Sequence, residues 1–335
     1  MEEENAETNI VKVLDMSYEP NSAIGKGYSI PDDTEELNLT NNQVKEIENL
    51  AHCAKLKTLI LRQNAIKELK NLENLGELVD LDLFMNEIKH IRETSFKNKD
   101  NLEKLDLSFN KVKDLNEFRL AKLPALKEIY LIHNKIGKIT GLEHLTTIEF
   151  LELGDNHLKV IENLDTFTNL TSLWLGRNKI TQLQGLDKLL KLKVLSMPSN
   201  RLTKIENLSH LRNLEELYLS HNGLTSMEGI EELVELKTLD ISSNRIEKLQ
   251  GLERLTKLVD FWANDNKLSD FEALNVLLNA PELHTVYLER NPLAEDPNYE
   301  TRVLLTLENL KQLDALPVER VKEKLLTRRA EESSS

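Results

Sequence analysis

The sequence predicts an α/β solenoid, with a parallel sheet on its concave side and 3₁₀ turns and short helix on its convex side. A helical cap is expected at its C-terminal end. Three observations predict it. A hexapeptide of the form apolar-x-apolar-x-x-Asn recurs along the chain, as in Leu239-Asp240-Ile241-Ser242-Ser243-Asn244. Its asparagines keep a fixed rhythm, falling at Asn42, Asn64, Asn86, Asn110, Asn134, Asn156, Asn178, Asn200, Asn222, Asn244, Asn266 and Asn291. Of the 11 spacings, eight are 22 residues and the others are 24, 24 and 25. Between hexapeptides the apolar residues step by three, as in Ile66, Leu69, Leu72, Leu75, Leu78 and Leu81. That step is neither the 3.6 of an α-helix nor the 2 of a strand, but it suits a 3₁₀ turn, whose side chains at i and i+3 eclipse.

A period of this length with this pattern is the leucine-rich-repeat signature, so the fold class is a leucine-rich-repeat solenoid of 12 repeats, mostly of 22 residues. Residues 1–30 are polar and acidic and are expected to form a flexible tail that runs into an N-terminal cap. Pro31 marks entry to the solenoid, which is expected over residues 31–291 as one domain. Two longer returns, holding Phe96 and then Phe118 with Pro124, are expected to contain a turn of true helix. The asparagine column has a physical cause. Each turn leaves backbone groups facing the interior, where an unpaired one costs roughly 1–3 kcal/mol, and one amide side chain carries both donors and acceptors. After Asn291-Pro292-Leu293 the rhythm stops. Residues 292–318 are expected to form a C-terminal cap with a helix over the open end, and 319–335 a charged C-terminal tail, in part a short exposed helix.

Composition narrows the function. The 335 residues carry a net charge of −14, which disfavours nucleic acid and anionic membrane as partners, since phosphate binding needs a basic face. No apolar run approaches the ~20 residues that span a bilayer. The acidic start is not that of a signal peptide, and the single cysteine, Cys53, suits a reducing compartment.

Function should lie in what varies between repeats. In a strand, successive side chains point to opposite faces, so the residue between the two apolar positions points outward on the concave sheet. Read in order, that stripe is Asn38, Ile60, Asp82, Asp106, Tyr130, Glu152, Trp174, Ser196, Tyr218, Asp240, Trp262 and Tyr287. It holds both tryptophans of the chain and three of its six tyrosines. Tryptophan and tyrosine dominate protein-interface hot spots because they bury large area at low entropic cost. The columns two residues before and after add Phe150 and Asp260, and small residues from Gly154 to Ser242. Over all three columns ten acidic residues face two basic ones, Arg62 and Lys104. Acid interleaved with aromatic describes a docking surface for a basic protein patch. Catalysis is poorly supported. The eight histidines are scattered, and no phosphate-cradling loop, nucleophile elbow or metal-spaced cluster is present. No cofactor is expected.

The 22-residue unit, with wording such as Asn178-Lys179-Ile180-Thr181-Gln182-Leu183-Gln184-Gly185-Leu186, is typical of an intracellular subclass of these repeats. Repeat number, the Asn291-Pro292-Leu293 cap and the acidic, aromatic stripe together resemble the leucine-rich-repeat regulatory subunits of protein phosphatase 1, over about residues 35–315. The resemblance implies a non-enzymatic subunit that grips the phosphatase catalytic subunit through its concave face. It also implies control of the enzyme's assembly, activity and nuclear placement, including in mitosis, a location in nucleus and cytoplasm, and room for a third, inhibitor subunit. Carried over by repeat position, the contacts fall on Asp106, Tyr130, Glu152, Trp174, Asp240, Asp260, Trp262 and Tyr287. Tyr218 belongs to the stripe but not to the transferred set. The same unit also occurs in cytoskeletal, ciliary and spliceosomal adaptors, which leaves a structural role in such a complex as the alternative.

Overall fold

The computed structural model describes residues 12–19, 23–116, 118 and 122–332. It divides into two units, 1–151 and 152–335, each a run of the expected repeats.

In the first unit the strands are β1 (Val13–Asp15), β2 (Glu36–Asn38), β3 (Thr58–Ile60), β4 (Asp80–Asp82), β5 (Lys104–Asp106) and β6 (Glu128–Tyr130). Each pairs in parallel with the next, one repeat later, so Asn38 faces Ile60, Ile60 faces Asp82, and Asp106 faces Tyr130. The middle residue of β2 to β6 is buried and its neighbours are half-exposed. That alternation puts one side of each strand in the core and the other outside. The returns turn with i→i+3 bonds, as from Leu75 N to Leu72 O (3.0 Å) and Leu78 N to Leu75 O (3.4 Å), and their leucines are fully buried.

Two features differ from expectation. Part of the stretch expected as a tail is structured: Leu14 of β1 pairs with Leu37, and Ile24 and Ile30 are buried. This turn has Glu19 where later repeats have asparagine, and the asparagine of the next repeat reaches back to it. Asn42 Nδ2 donates to Met16 O (2.8 Å), and Glu19 N donates to Asn42 Oδ1 (3.0 Å). Residues 1–11 of that expected tail lie outside the described residues. The longer return at Phe96 is a 3₁₀ segment, Glu93–Phe96, rather than α-helix. Phe96 instead fills the added volume by stacking on Phe118 of the next repeat, with centroids 5.5 Å apart.

The division between the units falls within β7 (Phe150–Glu152). The second unit continues with β8 (Ser172–Trp174), β9 (Val194–Ser196), β10 (Glu216–Tyr218), β11 (Thr238–Asp240), β12 (Asp260–Trp262) and β13 (Thr285–Tyr287). Again each pairs in parallel with its neighbour, so the stripe residues Trp174, Ser196, Tyr218, Asp240, Trp262 and Tyr287 stand in register. The asparagine column works as the physics requires. Asn178 Nδ2 lies within 2.9–3.2 Å of Leu153 O, Leu175 O and Gly176 O, and its Oδ1 accepts from Leu158 N at 3.0 Å. Gly185 sits at φ 68°, where a Cβ would come within 2.6 Å of Ile161 O, so only glycine fits that approach.

The end of the second unit is closed by α1 (Tyr299–Thr306), β14 (Gln312–Leu313), β15 (Leu316–Pro317) and α2 (Val318–Glu332). Strand β14 extends the parallel run beside β13, and β15 turns back on it antiparallel, so the last full repeat presents no open edge. Asp314, just past β14, caps backbone groups at this edge, its Oδ1 accepting from Leu288 N (2.7 Å) and Glu289 N (2.9 Å). Much of the charged segment after 318 is helix, and Val318 and Val321 are buried.

Candidate protein-docking face

In the second unit the outward strand residues form a row of rings. Trp174 and Tyr218 lie two strands apart, yet their centroids are 6.2 Å apart at 22°. They close over Ser196, which stands between them in the register and is buried. Tyr218 and Trp262 approach in the same way, 6.2 Å apart at 45°, across Asp240. Trp262 and Tyr287, on neighbouring strands, meet edge to face at 6.2 Å and 74°. Short side chains at alternate positions therefore let the large ones lean together. The row is held at both kinds of edge: Tyr218 OH donates to Glu216 Oε2 at 2.7 Å, and Gln312 Nε2 donates to Tyr287 OH at 2.6 Å. Burial, and then the Glu216 carboxylate, push the Tyr218 hydroxyl well above its usual pKa. It stays a neutral donor at any physiological pH. The indole Nε1 of Trp262 is buried and meets no acceptor among the described residues.

The carboxylates divide into two kinds. Glu152, on β7, accepts from Gly154 N at 2.9 Å, and Asp240 from Ser242 N and Oγ at 2.9 and 2.6 Å. Each binds the backbone two residues on, as Asx-type turns do. Asp240 is also largely covered, with 7 % exposure. Each of these carboxylates thus commits an oxygen to its own turn. Asp260, at the start of β12, is half-exposed, and its side chain hydrogen-bonds to no described residue. No basic residue stands in the three outward columns of this unit.

In the first unit the same columns are partly self-neutralised. Asp106 accepts from Ser108 N at 2.8 Å, and burial raises its pKa. Tyr130 OH donates to Glu128 Oε2 at 2.9 Å, and its ring lies 4.7 Å from that of Phe150. Lys104 Nζ lies 5.6 Å above the Tyr130 ring and 3.9 Å from Asp80 Oδ2. Arg62 pairs with Asp82 at 2.9 Å and covers the Phe84 ring at 4.3 Å. Sequence reading placed the stripe but missed the exposed neighbours Met85 and Phe109, because they sit just past the strands, in the turns. Among the described residues no group of three His, Cys, Asp or Glu side chains converges as a metal site would. No helix among them is long and apolar enough to cross a membrane.

Comparison with known proteins follows the same lines. Models described as leucine-rich repeat match residues 76–136, 101–158 and 198–333, and one described as two-copy leucine-rich repeats matches 146–188. Solved structures share the fold. An internalin from Listeria monocytogenes aligns over 84 % of this chain and 87 % of its own, at 22 % identity and a TM-score of 0.66. A leucine-rich-repeat protein of Leptospira interrogans aligns over 90 % and 89 %, at 22 % identity and a TM-score of 0.65. Closer identity is local. Protein phosphatase 1 regulatory subunit 7 of Danio rerio and of Homo sapiens are each 54 % identical over 39 residues, which is 12 % of this chain and 11 % of theirs. A protein phosphatase 1 regulatory inhibitor subunit homologue of Arabidopsis thaliana is 50 % identical over 40 residues, 12 % of each chain. The aligned stretch thus spans about a tenth of these relatives. These curated relatives are named as regulatory subunits, and the matching models as repeats.

Proposed function

Because the chain is a leucine-rich-repeat protein by its family matches and its fold, we propose that it is a non-catalytic regulatory subunit that binds the catalytic subunit of protein phosphatase 1. The observation that carries this reading is the row Trp174, Tyr218, Trp262 and Tyr287, set among Glu216, Asp240 and Asp260 with no base in the outward columns of its unit. Such a row offers large apolar area that is already ordered, so little side-chain entropy is lost on docking. The carboxylates around it draw lysines and arginines of the partner. The local identity to phosphatase regulatory subunits supports protein phosphatase 1 as that partner. Asp240, Asp260 and Glu152 supply the charge pairs, and Asp106 and Tyr130 give the first unit its own weaker contact. By the same resemblance the subunit acts in nucleus and cytoplasm on the phosphatase's assembly and activity, including in mitosis, and a third, inhibitor subunit can join the complex.

The test is calorimetric binding of purified phosphatase catalytic subunit to the wild-type chain and to Trp174→Ala/Trp262→Ala. Tight binding by wild type, lost in a double variant with an unchanged circular-dichroism spectrum, supports both partner and surface. Absence of wild-type binding removes the phosphatase. The location is checked by imaging a tagged chain through the cell cycle, and its exclusion from the nucleus at every stage would refute that part.

A further inference from the structure

We propose that the turn edge of the first unit is a second docking surface, which takes an extended acidic segment of a protein partner bearing a bulky apolar side chain. The surface uses none of the residues assigned to the phosphatase. It begins from a backbone constraint. The residue before each repeat asparagine adopts left-handed φ, and in most repeats it is polar: Gln63 (55°), Asp155 (50°), Arg177 (54°), Ser199 (56°) and Asp265 (55°). That conformation favours asparagine and aspartate and disfavours bulky side chains. Two consecutive repeats break the pattern with Met85 (57°) and Phe109 (55°). Core packing does not explain them, since Met85 is 51 % exposed and Phe109 37 %. Large apolar groups held in an unfavourable backbone and turned to solvent mark a contact surface.

Phe109 has ring neighbours in the adjoining repeats. Phe109 lies 4.9 Å from the Phe84 ring and stacks on His133 at 4.6 Å and 21°. Just past it in the same turns, Lys89, Lys113 and Lys135 are exposed and form no side-chain hydrogen bond or ion pair with a described residue. The acids nearby are engaged: Glu87 pairs with Lys111 at 3.0 Å, and Asp114 Oδ1 accepts from Asn116 N at 2.8 Å. Three exposed lysines with no ion pair to a described residue, in turns that also carry exposed apolar side chains, in a chain of net charge −14, call for carboxylates next to apolar side chains. Side chains of an extended segment alternate in direction, so apolar groups can reach Met85 and Phe109 while carboxylates meet the lysines. Nucleic acid fits less well, because base stacking needs an open ring face and the Phe109 ring already meets two others.

The experiment is fluorescence anisotropy of the full chain with a fluorescein-labelled peptide alternating glutamate with leucine and phenylalanine, and with its twin carrying lysine for glutamate. Binding of the acidic peptide alone is expected. Met85→Asn/Phe109→Asn should weaken it by at least about tenfold while the Tm holds or rises, because asparagine suits the left-handed backbone. Lys89→Glu/Lys113→Glu/Lys135→Glu should abolish it, and Trp174→Ala/Trp262→Ala should leave it unchanged, which separates this surface from the phosphatase face. The proposal is overturned by no binding, by equal binding of the lysine twin, or by unaltered binding in the asparagine variant. A lowered Tm in that variant, which would make the two side chains structural, or tighter binding of single-stranded oligouridylate at the same site would overturn it too.

Discussion

Arg62 and Lys104 stand in the outward columns of the first unit, where they meet Asp82 at 2.9 Å and Asp80 at 3.9 Å and lie over the rings of Phe84 and Tyr130. The second unit has no such base, and its rings stack on one another over Ser196 and Asp240 instead. Two runs of the same repeat thus treat charge oppositely. One sets cations against its carboxylates within the chain, and the other has no cation in the same columns. A cation already supplied internally weakens the attraction of an external one, so binding energy should concentrate in the second unit.

The largest expected effect tests that concentration. Trp174→Ala or Trp262→Ala should each cost about 2–4 kcal/mol of phosphatase affinity. Tyr130→Ala should cost about 1 kcal/mol or less, because the Tyr130 hydroxyl is held by Glu128 and its ring already touches Phe150 and Lys104. Titration calorimetry on the three single variants decides it. Equal losses at Tyr130 and Trp262 would break the comparison.

The next effect belongs to the first unit alone. Lys99 is fully buried, and its ammonium donates to Leu72 O at 2.6 Å and Lys97 O at 3.2 Å. Burial lowers its pKa to about 8, against roughly 10.4 in an unfolded chain. Between those values the unfolded state binds more protons than the folded one, so stability rises with pH. Urea unfolding of wild type should gain on the order of 1–2 kcal/mol between pH 7 and 10 relative to Lys99→Met. A parallel pH profile for the two proteins would remove Lys99 as the source.

Asp80 carries a smaller effect of the opposite sign. Its Oδ1 is buried without a hydrogen-bond partner among the described residues, and burial raises its pKa despite Lys104. The native state therefore holds its proton to higher pH than the unfolded state, and stability falls as pH rises through that raised value. Asp80→Asn should stabilise the fold at pH 7 by less than about 1 kcal/mol, and the gain should vanish in acid, where Asp80 is protonated. Asp240→Asn should be neutral, because the amide oxygen can still accept from Ser242 N. A thermal melt of both variants at pH 7 and pH 3 separates them.

What was legible in the sequence follows from periodicity. The period of two within a strand and 22 between most strands fixes which residues point outward and which share a row, so Trp174, Tyr218, Trp262 and Tyr287 could be placed together from spacing alone. Two kinds of fact were less legible. Strand β1 was hidden because Leu14-Asp15-Met16-Ser17-Tyr18-Glu19 ends without asparagine, and the amide that completes its turn belongs to Asn42. The double duty of Asp106, Glu152 and Asp240 was hidden because it depends on how the chain leaves the strand. The signal that could have found it is Asp15 and Asn38, which precede Ser17 and Thr40 by two residues and make the same bond at 2.9 and 3.0 Å. Acidic side chains at this position are partly scaffold, so a count of carboxylates overstates the charge free for a partner.

The smallest effect asks whether the first unit can be made to resemble the second. Arg62→Gln/Lys104→Gln frees Asp82 and Asp80 from their internal cations. The Arg62 side chain is 40 % exposed and that of Lys104 44 %, so losing both pairs should cost only about 0–1 kcal/mol of stability. The exposed field of the first unit becomes more negative, which speeds encounter with a basic partner. Stopped-flow association with the phosphatase should quicken by no more than about threefold at low salt, and the gain should fade near 0.15 M, where the Debye length is about 8 Å. Dissociation should change little, since no new contact is buried. A slower association would mean that Arg62 and Lys104 themselves touch the partner, and the first unit would then be a mixed-charge docking face in its own right rather than a muted copy of the second.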